Sequence, residues 1–283
     1  MIIDAHQHFW DLSRTDYDWL TPDRGKLYCN YLPADLAPTL LEHGVRATVL
    51  VQAAPSEAET RYLFRLAQAH PFIAGIVGWV DFQSAGADGR ISALIADGGG
   101  KLKGLRPMIQ DIPDPYWLSQ PTLDEAFEAM VAHDLVFDAL VRPAQIDELR
   151  ARLMRHPTLR AVLDHAGKPD IANGDFEAWA GSLGRLARDT TAHCKLSGLL
   201  TEAGTRTSPE DLAPYVAHVF RCFGAQRVLW GSDWPVLNLV FDYGHWLALA
   251  RGLVNRFAAR YEKDVFGDTA TRIYRLELSG IHQ

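Results

Sequence analysis

The stretch Ile2-Ile3-Asp4-Ala5-His6-Gln7-His8 reads as a β-strand with chemistry at its C-terminal end. The two β-branched isoleucines favour extended backbone. Residues two apart on a strand share a face, so His6 and His8 aim two imidazoles at one volume from one rigid element. Such a pair suits a divalent cation, two proton carriers, or an electrophile beside a base.

Seven further apolar runs follow, at residues 46–52, 74–80, 102–107, 135–141, 160–165, 193–197 and 227–233. Helical patterns fill most gaps between them. Ser56 with Glu59 forms a capping-box pattern that opens a helix to about His70, and Thr122 with Glu125 repeats it. Ser208-Pro209 places a cap and then a proline at the first helical position, and Gly224 stops that helix after Phe223. Residues 144–155 and 242–259 carry helical spacing of apolar positions. Strand–helix alternation implies a parallel sheet with helices outside, and eight repeats favour a closed (β/α)8 TIM barrel spanning residues 1–283 as a single domain. No GxGxxG follows the first strand, against a dinucleotide site. Residues 9–33, rich in Trp, Tyr and Asp, break the repeat and read as a long loop over the barrel mouth.

The totals narrow the function. The 283 residues carry a net charge of −7 and no Lys/Arg run, against nucleic acid or anionic lipid as partner. Three scattered cysteines make neither a disulfide framework nor a metal knuckle. With no signal peptide pattern and no apolar run of the ~18 residues a membrane span needs, the expected location is the cytoplasm. The sequence leaves the oligomeric state open.

Polar residues gather where strands end: His6 and His8, Gln52, Arg106, Arg142, His165, Lys195 and Asp233. In a barrel that end is the active face, so the pattern points to an enzyme. Asp233, His165, His8 and His6 are the candidate catalytic groups. Arg106, Lys195 and Gln52 suit substrate hydroxyls, and Trp79 and Trp234, with other mouth tryptophans, suit the C–H face of a sugar ring.

Asp4-Ala5-His6-Gln7-His8 and Gly231-Ser232-Asp233-Trp234-Pro235 resemble the amidohydrolase superfamily, in its amidohydrolase-2 branch. Lys103-Gly104-Leu105-Arg106, Leu163-Asp164-His165-Ala166-Gly167-Lys168-Pro169 and Cys194-Lys195-Leu196-Ser197-Gly198-Leu199 resemble its sugar-lactonase and dicarboxylate-lactone hydrolase group. The resemblance implies a distorted barrel in which His6, His8, His165 and Asp233 match the family's site positions. Binuclear members bridge two metals with a lysine or glutamate ending strand 4 and add a histidine ending strand 5. Here strand 4 ends in Arg106-Pro107-Met108 with Lys101 and Lys103 at its start, and strand 5 ends in Val141-Arg142 with His133 at the opposite end. At most one zinc ion is then expected, among His6, His8, His165 and Asp233, and the resemblance implies that none is required.

The implied activity is opening of an aldonolactone to the aldonic acid, with Asp233 as base for water and the histidines as oxyanion donors. Only Arg106 and Arg142 are placed for a carboxylate, so a neutral L-fucono- or L-rhamnono-type 1,4- or 1,5-lactone is expected over a dicarboxylate one. The alternatives are a zinc-dependent decarboxylase or hydrolase of the same branch, and a non-catalytic sugar-binding barrel.

Overall fold

The computed structural model describes residues 1–278. All eight apolar runs form strands: β1 (Ile2–Gln7), β2 (Val45–Val51), β3 (Ile73–Gly78), β4 (Leu102–Leu105), β5 (Val136–Ala139), β6 (Ala161–Leu163), β7 (His193–Leu196) and β8 (Val228–Trp230). They lie side by side in chain order, and every pairing is parallel. Helices α1 (Pro33–Glu42), α2 (Glu57–Ala69), α3 (Ala87–Gly98), α4 (Asp124–Ala132), α5 (Ile146–Arg155), α6 (Glu177–Asp189), α7 (Pro209–Phe223) and α8 (Tyr243–Ala258) surround the sheet, with a last short helix α9 (Thr269–Tyr274). The chain is a single-domain (β/α)8 barrel. No helix of the described residues is long and apolar enough to cross a membrane.

Capping chemistry explains which helix starts were legible. Ser56 Oγ accepts from Glu59 N at 3.1 Å and caps α2, but the Glu59 carboxylate turns to Ala53 N and Ala54 N instead of closing the box. Burial raises that carboxyl to about 8. Ser208 and Asp211 close a full capping box on α7. The Thr122–Glu125 expectation is corrected: a 3₁₀ turn over Pro121–Leu123 intervenes, the Thr122 hydroxyl faces Gln120 Oε1, and α4 begins at Asp124.

Two apolar layers hold the barrel. Outside the sheet, residues such as Leu50, Ile76, Leu105, Phe137 and Trp230 pack under the helices. Inside it, Ile3, Ala5, Val49, Val77, Val136, Val162 and Leu229 fill the lower half, and Ile273 and Tyr274 of α9 plug the bottom. A closed side-chain core of this kind leaves only the opposite rim free to receive a ligand.

The sheet closes beyond β8, which is only three residues long. Beyond Trp230 the chain meets β1 through two backbone hydrogen bonds, from Asp233 N to His6 O and from His8 N to Trp234 O, both 2.8 Å. Asp4 bolts the same seam: its carboxylate accepts from Ser232 N at 2.8 Å, His6 N at 3.1 Å and the Tyr243 hydroxyl at 3.0 Å. Complete burial outweighs these bonds and pushes the Asp4 carboxyl up to about 6.

Candidate active site

Ile3 and Ala5 pack inside the barrel, so strict alternation would send His6 outward with Asp4. The β1–β2 register shifts between Asp4 and Gln7, and this irregularity turns His6 inward, with His8 following two residues later. The two histidines therefore share a volume, as the spacing implied, but only by a break in the pleat.

His165 and Asp233 arrive from β6 and β8 on backbone in the left-handed region, with φ of 52° and 60°. Non-glycine residues occupy that region at a cost of order 1 kcal/mol, which concentrates at functional sites. Two glycines clear the room. A Cβ on Gly231 would stand 2.7 Å from His6 Cβ, and one on Gly198 would stand 2.5 Å from His165 Nδ1.

The four groups converge. Asp233 Oδ1 is 3.4 Å from His8 Nε2, 3.7 Å from His6 Nε2 and 3.9 Å from His165 Nε2, and His6 Nε2 is 3.1 Å from His8 Nε2. One donor atom each from His6, His165 and Asp233 lie within 4.8 Å of one another. Hydrogen-bond capacity sets the direction of the network. His8 Nδ1 faces the Val51 carbonyl at 2.8 Å and must donate to it. In neutral His8 this leaves Nε2 bare, accepting from His6 Nε2. His6 Nδ1 then accepts from the Lys195 ammonium at 3.1 Å. His165 Nδ1 meets Ser197 Oγ at 2.9 Å, and its Nε2 turns to the cavity.

Beneath these groups lies a sealed charged layer. Lys195 donates to Asp138 and stands 2.9 Å from Asp164, while Arg106 approaches Asp164 at 3.6 Å. The Tyr274 hydroxyl also donates to Asp138. Burial favours the neutral carboxyl at both aspartates. It prevails at Asp138, raised to about 6, whereas the Lys195 ammonium and His6 hold Asp164 well below the usual carboxylate range. Burial, reinforced by Lys195, keeps His6 neutral, and burial lowers His165 to about 4. Burial would raise Asp233 too, but His165, His8 and His6 hold it well below its ordinary value. At neutral pH the Asp233 carboxylate stands beside the neutral imidazoles of His6 and His165.

Above it opens a cavity of about 620 Å³ lined by His8, His165, Asp233 and Arg106. Trp10, Trp19, Asp23, Arg24 and Leu27, all from residues 9–33, form one side of it, and Gln110, Arg142 and Lys168 form another. Several sequence expectations need correction. Lys195 and Gln52 do not line the cavity: both are fully buried, the lysine in the charged layer and the glutamine tied to Arg106 by reciprocal backbone bonds. Trp234 packs edge-on against Phe9 and Tyr31, and Trp79 lines a neighbouring cavity. Sequence reasoning missed Asp138, whose signal was a lone charge inside an apolar strand. It also passed over Lys168 and Arg24, which only loop geometry brings to the rim.

A family profile described as Amidohydrolase (Amidohydro_2) matches residues 3–276. The chain is 45% identical to an L-fucono-1,5-lactonase of Burkholderia ambifaria, over 97% of this chain and 96% of the relative. It is 35% identical to an L-fucono-1,5-lactonase of Burkholderia multivorans, with coverage of 97% and 96%. The crystal structure of an amidohydrolase from Burkholderia multivorans with bound zinc superposes with a TM-score of 0.91 at 34% identity, covering 98% of this chain and all of that one.

Proposed function

The chain belongs to the amidohydrolase family and is a lactone-hydrolysing enzyme, and on that premise we propose that it opens an L-fucono- or L-rhamnono-type aldonolactone by Asp233-assisted attack of water. One observation carries the reading: a largely buried carboxylate, ionised at neutral pH, lines a sugar-sized cavity with His8 and His165 and stands within 3.4–3.9 Å of these two imidazoles and that of His6.

Asp233 takes a proton from water as the water oxygen bonds to the lactone carbonyl carbon. Charge moves to the carbonyl oxygen, where His165 Nε2–H and the Arg106 guanidinium supply donors. Arg106 Nε is buried without a hydrogen-bond partner, so it has a donor to spare. On collapse the ring C–O bond breaks, and the proton on Asp233 passes to the departing ring oxygen. The product ionises to an aldonate, and Arg106, Arg142 and Lys168 line the cavity for that new charge.

A second reading, a zinc-assisted hydrolase, is favoured by the donor set. Donor atoms of His6, His165 and Asp233 lie within 4.8 Å of one another, and His8 Nε2 lies 3.1 Å from His6 and 3.4 Å from Asp233, so small side-chain shifts would close them around an ion with bonds of about 2.1 Å. His6, His8, His165 and Asp233 would hold it, and a bound ion would supply an activated water and a Lewis acid. His6 would then need a bare Nε2, with Nδ1–H turned to Asp164 at 3.4 Å in place of Lys195. The β4 and β5 ends offer no lysine or histidine for a second ion. The metal-free reading rests on Asp233 already serving as base.

A pH-indicator assay across aldonolactones, before and after exhaustive chelation, tests both readings. Acid release confined to a 6-deoxy-L-sugar subset and unchanged by chelation is expected. Loss restored by zinc would transfer the mechanism to the metal, and no acid release from any lactone would overturn the function.

A further inference from the structure

Beside the reactive cavity lies a second, of about 650 Å³, and Trp19, Met108 and Asp111 form the wall common to both. The Trp19 indole N–H is fixed on the Ala53 carbonyl at 2.7 Å, so the partition is rigid. On its far side the second cavity presents Trp79 and Trp117, with Asp18, Asp81 and Gln83 around them. The Trp117 indole N–H is buried there without a hydrogen-bond partner. None of these groups is used in the lactone chemistry.

We propose that this second cavity binds a neutral sugar ring, so that the enzyme accepts lactones whose sugar carries a further glycosyl unit. Indole faces take up the C–H side of a pyranose, and carboxylates and amides bond its hydroxyls. Charge fixes the polarity of such a ligand. Asp16, Asp18, Asp81 and Asp111 border the second cavity, and among the described residues only Asp16 has an ion-pair partner, Arg14. An aldonate or a sugar phosphate is repelled from it. The reactive cavity sets Arg24, Arg106, Arg142 and Lys168, the last also paired with Glu202, against Asp23, Asp111 and Asp233, whereas no cation among the described residues lines the second cavity, so the lactone end belongs with the cations and the uncharged ring beyond Trp19. The linked-substrate form rests on the lactonase reading; the ring-binding site does not.

Two measurements test it. Calorimetry with maltitol and with methyl pyranosides reads ring binding without turnover, on the wild type and on Trp79→Ala, Trp79→Tyr and Asp18→Ala. Kinetics compare L-fucono-1,5-lactone carrying a 3-O- or 4-O-linked glycosyl unit with L-fucono-1,5-lactone itself. Trp79→Ala is expected to weaken ring binding and lower kcat/KM for disaccharide lactones tenfold or more. Monosaccharide lactone kinetics should stay within twofold, Trp79→Tyr should restore most of the loss, and Asp18→Ala should weaken ring binding several-fold. Binding of pyranosides without preference for linked lactones would make the ring a separate ligand of the same site and remove the linked-substrate form. Turnover of monosaccharide lactones with no Trp79-dependent ring binding would overturn the proposal. Trp79-dependent binding with no turnover of any lactone would keep the site and sink the lactonase reading.

Discussion

The Lys195 ammonium stands 2.9 Å from the Asp164 carboxylate, both fully buried directly beneath the site. It is the shared cation of Asp138 and Asp164 and the donor that orients His6. Lys195→Met would strand Asp138 without a cation and leave Asp164 only the more distant Arg106. Breaking one partner out of a buried ion pair costs about 3–5 kcal/mol. A loss of that size is expected in urea unfolding at pH 7, narrowing toward pH 5 as the stranded carboxyl protonates. A variant as stable as the wild type at pH 7 would show the layer to be energetically idle.

Asp233→Asn removes the base and keeps the shape. General-base assistance is worth ~100- to 10,000-fold, so kcat should fall by at least about two decades with the circular dichroism spectrum and melting temperature little changed. Retention of more than roughly a tenth of the wild-type rate is incompatible with this role.

The pH profile follows from burial. Asp233 stays ionised and His165 stays neutral down to about 4. A level kcat/KM is expected from pH 5.5 to 8 in a pH-stat, falling as pH drops through about 4, where His165 protonates. An inflection near 6.5 would mean that His165 titrates as a solvated histidine.

Asp4→Ala tests the seam. Two backbone N–H groups and the Tyr243 hydroxyl would lose a buried acceptor, each worth about 1–3 kcal/mol, so roughly 3 kcal/mol or more of stability should go. The sign of the pH effect is definite. Asp4 is raised to about 6 in the folded protein from an ordinary value of 3.8, so the folded chain takes the proton first. This contribution is fully present below about 3.8 and is lost as pH rises through about 6. The deficit of the variant, read from unfolding curves at both values, should be larger at pH 4 than at pH 7.

Much of this was legible in the sequence for physical reasons. Period and alternation exposed the eight strands, because a parallel barrel buries both strand faces and leaves nearly continuous apolar runs. His6, His8, His165 and Asp233 stood out as polar groups at run ends. Lys195 and Gln52 stood out for the same reason and were misplaced, because sequence position gives the strand end but not the depth. The register shift that turns His6 inward leaves no mark in residue type. Thr122 imitated a cap because local spacing carries no information about Gln120. Trp79 was read as part of the reactive mouth, where only the loop path of Trp19 shows that a wall intervenes.

The catalytic floor is assembled from opposite ends of the polypeptide. His6 and His8 leave the ribosome more than two hundred residues ahead of Asp233, and Tyr274, whose hydroxyl steadies Asp138, follows later still. A nascent chain can fold much of its barrel wall and still possess no site. Turnover thus requires synthesis through Asp233, and a copy truncated before it is silent rather than partly active.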